Sequence, residues 1–335
     1  MPRKRRAVRL IAVGASLGLL GMLAACGRAP APEVAPTPQV STQEEMASDI
    51  DYARTFINLG NGYYEQGRYG DAIDQYRRGL EMNPYSDEAH AAIGMAQYNL
   101  GKGDLAVASF RRALMLNPRN MIAQNGMAMV SEDAQEQASH LEAAIRYNPN
   151  VPELHNNLCY SLVQGGDYER AVEECSESIR LDSANAYARY NLGYAYQRQG
   201  RLDEAVEEYA AALRLRPGWA RALNNMGLVF YYKSQFGPAI DYYEQAIAAD
   251  GTEATYHYNL GLAYEAVASR LQTHGGRGAS PGAIYGVREP ADWRTLYRRA
   301  ADELRAYLDM RPDASDAADV RARIGELRRR AGGEG

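Results

Sequence analysis

The chain has 335 residues, with 37 Lys and Arg against 42 Asp and Glu, which gives a formal charge of −5. Residues 1–25 hold five of the basic residues and none of the acidic ones, so the remainder carries a formal charge of −10. Nucleic-acid binding depends on basic side chains that contact phosphates. The composition therefore excludes the usual nucleic-acid-binding classes, and we expect no nucleic-acid partner.

The N-terminus begins with basic residues, continues with an apolar stretch and ends in small residues before a cysteine. Five basic residues within Met1–Arg9 precede the uncharged stretch Leu10–Ala25, and Leu-Ala-Ala leads directly into Cys26. An apolar stretch of about 16 residues is shorter than the roughly 20 that span a bilayer, and this order is typical of a secretory signal peptide. The ending resembles a bacterial lipoprotein signal. That resemblance implies that residues 1–25 are removed and that Cys26 is lipidated; an ordinary signal peptide that contains a cysteine is the alternative.

The lipoprotein resemblance also implies a location. Several acyl chains on one residue anchor a protein stably, because each buried methylene contributes about 0.8 kcal/mol. Gly27 stands where an Asp often retains lipoproteins in the inner membrane, so we expect an anchor in the outer membrane that faces the periplasm. Residues 26–48 then combine the lipidated cysteine with a Pro- and Ala-rich stretch, which predicts an extended tether.

A repeat of 34 residues follows the tether. One column of small residues advances in steps of 34 residues, except for a single step of 65; it contains Gly60, Gly94, Cys159, Gly193, Gly227 and Gly261. A second column shows the same steps and contains Ala72, Ala106, Ala171, Ala205 and Ala239. A third column places a three-residue deletion near residues 131–136. Apolar spacings of i, i+3, i+4, i+7 and of i, i+4, i+8 predict two packed helices in each unit.

The motif Leu-Gly-x-x-Tyr, followed by the column Ala, an aromatic residue and Pro, resembles the tetratricopeptide repeat. Residues 59–63 and 192–196 match it closely. The resemblance implies an all-α superhelical solenoid of about seven helix-turn-helix repeats with a C-terminal capping helix. The expected array spans residues 49–314, with units at 53–86, 87–120, 121–151, 152–185, 186–219, 220–253 and 254–314 and a loop insertion at 269–292. Residues 315–335 are expected to form the capping helix and a tail, with a basic partner-binding helix as the alternative.

No pattern in the sequence indicates catalysis. His-Glu-x-x-His, Cys-x-x-Cys and a phosphate-binding loop are absent from the sequence. His90, His155 and His257 occupy the repeat column of Phe56, which favours interhelical packing over metal binding. We therefore expect no enzyme, no cofactor and no metal site.

Two cysteines replace column residues within one unit. Cys159 stands in the column of small residues, and Cys175 stands in the column of aromatic residues that faces it across the helix pair. The expected compartment is oxidising. A disulfide between Cys159 and Cys175 is the hypothesis, and two buried thiols are the alternative.

A partner-binding groove is expected on the side of the first helices that lines the concave face in this repeat family. Asn recurs two residues before the small column, about 200° around the helix from it. The four that form an unbroken ladder are Asn157, Asn191, Asn225 and Asn259. By the same phase argument the neighbouring aromatic residues are Tyr160, Tyr187, Tyr190, Tyr194, Tyr231 and Tyr258. An amide can donate and accept to a peptide backbone, and Tyr suits binding surfaces, so we expect an extended peptide segment as the ligand.

The expected function is a membrane-anchored interaction scaffold or assembly factor of an envelope machine. The build is similar to that of the pilotins of type IV pili, which assemble secretin rings. It is also similar to BamD of the outer-membrane protein assembly machine, to gliding-motility lipoproteins, and to adaptors that recruit peptidoglycan hydrolases or proteases. Direct binding of a glycan or lipid is a further alternative. The repeat motif does not separate these roles, because a fold does not specify a partner.

Overall fold

The computed structural model describes residues 43–273 and 292–332. The predicted signal peptide, Cys26 and the Pro-rich part of the tether lie outside the described residues, as do residues 274–291 of the expected insertion. The described residues form fifteen α-helices and no strand. The helices are α1 (Gln43–Glu65), α2 (Tyr69–Met82), α3 (Asp87–Asn99), α4 (Gly103–Leu116), α5 (Met121–Val130), α6 (Ala134–Tyr147), α7 (Pro152–Gly165), α8 (Tyr168–Leu181), α9 (Ala186–Arg198), α10 (Leu202–Leu215), α11 (Ala220–Tyr232), α12 (Phe236–Ala249), α13 (Ala254–Thr273), α14 (Trp293–Met310) and α15 (Ala317–Arg330).

The helices stack as pairs along the chain. From the second unit onward, the first helix of a unit packs against its own second helix, from α3 with α4 to α13 with α14. Second helices also contact the first helix that follows, and several neighbouring first helices touch one another, such as α3 with α5 and α7 with α9. These contacts form the all-α solenoid that the sequence predicts, so the expected fold class is confirmed. None of the helices in the described ranges is long and apolar enough to cross a membrane.

Local sequence explains where most helices begin and turn. Several first-turn N–H groups donate to a capping side chain, as Ala89 does to Ser86 and Ala123 does to Asn120. A residue with positive φ ends most first helices, and it is usually Gly, as at Gly200 with φ of 78°. Ser234 takes the equivalent place one repeat later with φ of 59°.

Within most units the two helices meet where a small residue lies against a ring. A Cβ atom at Gly60 would lie 2.4 Å from the ring of Tyr76, and one at Gly227 would lie 2.6 Å from the ring of Tyr243. Both rings are almost fully buried. The missing Cβ therefore lets the helices approach closely enough to enclose the aromatic side chain.

The fourth unit makes this contact with sulfur. Cys159 on α7 and Cys175 on α8 are joined by a disulfide in the structure, with Cα atoms 5.3 Å apart, and both residues are completely buried. The bond joins the two helix positions that a Gly and a ring occupy elsewhere. It closes a sequence separation of 16 residues.

Two helix ends differ from the expected boundaries. Helix α1 begins at Gln43, inside the predicted tether, because Gln-Glu-Glu-Met has no Pro and consists of good helix formers. Helix α13 continues to Thr273, inside the predicted insertion at 269–292. Its last turns extend because Val267 and Leu271 are buried in the same core cluster as Leu296 of α14.

The last helix covers the end of the array. Helix α15 packs on α14 and buries Ala317, Val320 and Leu327. Arg323 of α15 forms an ion pair with Glu265 of α13. These contacts give α15 the position of a cap, which repeat arrays need on their last apolar face.

The disulfide should be replaceable by the Gly and Tyr pair that occupies the same two positions in the following units. We expect the variant Cys159→Gly with Cys175→Tyr to fold and to unfold identically with and without reductant. The wild type should lose about 3 kcal/mol of unfolding free energy on reduction, because the bond closes a short loop in the unfolded chain. Urea unfolding in both redox conditions measures this difference. Wild-type stability that is unchanged after full reduction, verified by thiol titration, would contradict the prediction.

Candidate protein-binding groove

Four successive first helices surround one cavity, which we call the first cavity. Its volume is about 370 Å³. Residues from α1, α3, α5 and the start of α7 line it, together with one ring from α2: Asn61, Tyr64, Tyr76, Ala92, Met95, Met121, Ile122, Asn125, Val151, Glu153 and Leu154. Because the walls come from four consecutive units, this face of the array curves around the cavity and is concave there.

A second cavity of about 280 Å³ adjoins the first along the same face. Its lining residues are Tyr98, Asn125, Ala128, Met129, Gln137, Leu141, Asn157 and Tyr160. Asn125 lines both cavities, so the two adjoin on this face of the first four units. We call this surface the first-helix groove.

The deletion in the third unit shortens the helix at the middle of this groove. Helix α5 has 10 residues, whereas α3, α9 and α11 have 13 each. Asn125 and Met129 of this short helix line the second cavity. The repeat spacing predicts the deletion, but it does not show that the shortened helix lines a cavity.

The Asn ladder bonds neighbouring units to one another. Three of its amide nitrogens donate to an Asn of the preceding unit: Asn157 to Asn125 Oδ1 at 2.9 Å, Asn191 to Asn156 Oδ1 at 3.2 Å, and Asn259 to Asn224 Oδ1 at 2.8 Å. Asn225 instead donates to the hydroxyl of Tyr190 at 3.0 Å. The ladder therefore links consecutive first helices along the array.

This arrangement corrects the expected orientation of the ladder. Asn191, Asn225 and Asn259 are 7–8% exposed, so they do not present their amides to an open groove. Asn157 is half-buried and lines the second cavity. The reason is that the ladder side of a first helix is covered by the first helix of the preceding unit, while another side packs on its own second helix. A position outside the small column can still lie in the contact between units.

The expected tyrosines divide into separate groups. Tyr160 and Tyr187 are half exposed, at 51% and 55%. Tyr160 lines the second cavity with Asn157. Tyr187 and Tyr190 both pack on the ring of Trp219, with centroid distances of 5.1 and 4.7 Å.

The other three tyrosines are partly covered. The hydroxyl of Tyr194 accepts a hydrogen bond from Arg198 at 3.1 Å. Tyr231 packs on Phe236 at 5.4 Å, and Tyr258 packs on Tyr307 at 5.2 Å. These contacts hold the rings against the array and leave only part of each side chain accessible.

Burial determines the protonation of two phenols in the fifth unit. It raises the pKa of Tyr190 to about 12 and raises the pKa of Tyr209 well above its ordinary value. The Tyr209 hydroxyl donates to Gln197 Oε1 at 2.8 Å. These phenols are therefore neutral hydrogen-bonding groups at physiological pH.

The histidines of the repeat column contact oxygen atoms between helices. Nδ1 of His155 lies 2.7 Å from Glu174 Oε2, and its Nε2 lies 2.8 Å from the carbonyl oxygen of Pro149. His257 makes the equivalent contact with Glu303 at 2.6 Å. Within residues 43–273 and 292–332, no group of three or more His, Cys, Asp or Glu is placed to hold a metal ion.

Family profiles of the tetratricopeptide repeat match residues 60–101, 87–120, 160–200 and 182–252. A TPR repeat-containing protein of Borreliella burgdorferi is 39% identical over 57 residues, which are 17% of this chain and 25% of that relative. This chain therefore matches about a quarter of that relative's length.

Two solved structures share the fold. A chain of the APC/C hetero-tetramer Cut9–Hcn1 has a TM-score of 0.57 at 16% identity, over 84% of this chain and 54% of that one. A tetratricopeptide repeat protein from Parabacteroides merdae has a TM-score of 0.53 at 13% identity, over 84% of this chain and 100% of that one. At these identities the likeness establishes the architecture alone.

The ladder should contribute to stability. We expect Asn191→Ala, Asn225→Ala and Asn259→Ala each to lower the free energy of unfolding by about 1–2 kcal/mol, because each removes a hydrogen bond that a buried amide donates to the neighbouring unit. Asn58→Ala is the matched control; Asn58 occupies the same column in the first unit and is exposed, so its change should be below about 0.5 kcal/mol. Urea unfolding followed by circular dichroism measures all four variants. Full stability of a triple variant would contradict the structural role.

Proposed function

We propose that this chain, whose repeats match tetratricopeptide-repeat family profiles, is a scaffold whose first-helix groove holds an extended segment of a partner protein. Tetratricopeptide-repeat proteins bind other proteins. The observation that carries the proposal for this chain is the first cavity, whose walls come from four consecutive first helices. The role is non-catalytic: the groove binds and holds.

The groove is suited to binding because its walls are arranged before a ligand arrives. Neighbouring first helices are bonded side chain to side chain, as Asn99 Nδ2 is to the hydroxyl of Tyr64 at 2.8 Å and Asn157 is to Asn125. Tyr64, Asn125 and Asn157 also line the cavities. Little conformational freedom is then lost when a segment binds, and that loss is a main cost of association.

We further propose that the groove works in the cell envelope, anchored by a lipid on Cys26 and facing the periplasm from the outer membrane. The basic start, the short apolar stretch and the Leu-Ala-Ala-Cys ending support this anchor. Within that compartment the specific role that we propose is pilotin-like assembly of a pilus or secretin machine. Recruitment of a peptidoglycan hydrolase or protease is the alternative role for the same groove.

A photo-crosslinking amino acid placed in the groove should capture partner proteins in the native cell. Ile122 and Tyr160 are suitable positions, since both side chains line a cavity and are exposed. Exposed Glu169 and Glu207 on the second helices α8 and α10 are the controls. We expect discrete protein adducts from the groove positions and none from the controls, seen by immunoblot and identified by mass spectrometry. Adducts that form equally from the controls would refute the groove as the binding face.

Substitution of Cys26 should test the anchor separately. We expect Cys26→Ser to abolish incorporation of a fatty-acid probe and to move the protein from the membrane to the soluble fraction, because the thiol is the attachment point. Cys159→Gly with Cys175→Tyr serves as a control that keeps Cys26. Equal labelling of wild type and Cys26→Ser would exclude lipidation at this residue.

A further inference from the structure

The first cavity has an apolar interior with adaptable walls. Met95, Met121 and Ile122 line it from two helices, and Val151 and Leu154 close it at the start of α7. Methionine side chains are flexible and polarisable, so they adjust to different apolar groups. The interior therefore selects for bulk and apolar character without fixing one side-chain shape.

The mouth of this cavity is acidic. Glu153 of α7 lines the cavity directly. Burial, followed by the charges of Tyr64, Glu88 and Glu65, raises the pKa of Tyr76 to about 12. Glu65 follows the lining residue Asn61 by four positions on α1, and Glu88 precedes the lining residues Ala92 and Met95 by four and seven positions on α3. Residues at these spacings share one face of a helix, so both carboxylates lie on the helix faces that border the cavity.

The three carboxylates are available to a ligand. Glu65, Glu88 and Glu153 are all exposed, and among the ion pairs of the described residues none involves them. Arg54 lies two turns before Asn61 on the same side of α1, and it forms no ion pair with any of the three. We call Glu65, Glu88 and Glu153 the acidic rim.

We propose that the first cavity with its acidic rim selects partner segments in which a bulky apolar residue lies next to Lys or Arg. This inference rests on the proposed function and specifies the chemistry of its partner. The apolar side chain is removed from water in the cavity, which provides most of the affinity. The adjacent basic groups meet carboxylates that form no ion pair with any side chain of the described residues, which steers association and disfavours acidic sequences.

The second cavity continues the same path. Asn125 lies between the two cavities, and its Oδ1 is occupied by the amide of Asn157. A segment anchored in the first cavity can therefore run over α5 toward Tyr160, whose ring is half exposed. An extended segment suits this path better than a single buried side chain, because two adjoining cavities are filled in succession.

A peptide selection on the full chain tests the proposal. Phage-displayed random dodecamers are selected on the purified protein, and the enriched peptides are made with a fluorescein label for anisotropy measurements. We expect enrichment of Leu, Met or Phe beside Lys or Arg. Replacing the basic neighbours by Glu should weaken binding at least tenfold, and added salt should weaken the parent peptide, because exposed charge contacts are screened.

Protein variants assign the effect to the rim and to the cavity. The triple variant Glu65→Gln, Glu88→Gln, Glu153→Gln should weaken the selected peptides roughly tenfold and flatten their salt dependence. Glu81→Gln, Glu169→Gln, Glu207→Gln removes the same charge from second helices and should leave affinity unchanged. Ile122→Arg should abolish binding by placing a cation at the cavity wall, with circular dichroism confirming the fold.

The outcomes separate this inference from the proposed function. Failure of the full chain to select any peptide would refute the peptide-holding function itself. Peptides that bind but lack basic residues, or that bind the rim variant as tightly as the wild type, would overturn the inference and leave the groove function standing. Selected peptides that bind Ile122→Arg normally would also overturn it, because the binding site would then lie elsewhere on the array.

Discussion

The close contact between a small residue and a buried ring within a unit is the constraint on which the array depends. In the first unit Gly60 lets α1 approach the ring of Tyr76, and in the sixth Gly227 does the same for Tyr243. Each contact sets the distance between the two helices of one unit. Because each unit packs on the pair before it, the same geometry repeats along the chain. The local steric contact thereby determines the shape of an extended surface. The disulfide of the fourth unit satisfies this constraint with a covalent bond.

The first helices of neighbouring units are also joined by polar side chains, and this contact is the reason that the predicted orientation of the Asn ladder was wrong. A 34-residue period identifies which residues share a column, but it does not say how many faces of a helix are covered. Asn191 and Asn259 lie away from the small column, as expected, yet the neighbouring first helix covers them and takes their hydrogen bonds. In the sequence of such an array, a recurring Asn is equally consistent with a hydrogen bond between units and with a contact to a ligand. Only the exposure of the residue separates the two roles.

The fold was predictable because its signals are local and periodic, whereas the groove depends on how four units are placed together. Leu-Gly-x-x-Tyr spacing and the small column predict helix pairs without knowledge of any long-range contact. The first cavity needs the mutual positions of α1, α3, α5 and α7, which no single repeat encodes. A weak signal was present: Met95, Ile122 and Met129 are apolar at positions outside both the small and the aromatic columns. The lipidation of Cys26 lies outside the described residues and stays a prediction from the sequence.

The fourth unit connects stability to the groove. Helix α7 supplies Leu154 and Glu153 to the first cavity and Tyr160 to the second, and Cys159 lies between them on the same helix. The disulfide to α8 therefore fixes one of the helices that line both cavities. The short helix α5, in the middle of the groove, is hydrogen-bonded to α7 through Asn125 and Asn157. Helix α7 is therefore held by a disulfide on one side and by a side-chain hydrogen bond on the other. A helix held in this way is well suited to keeping a partner segment in one register.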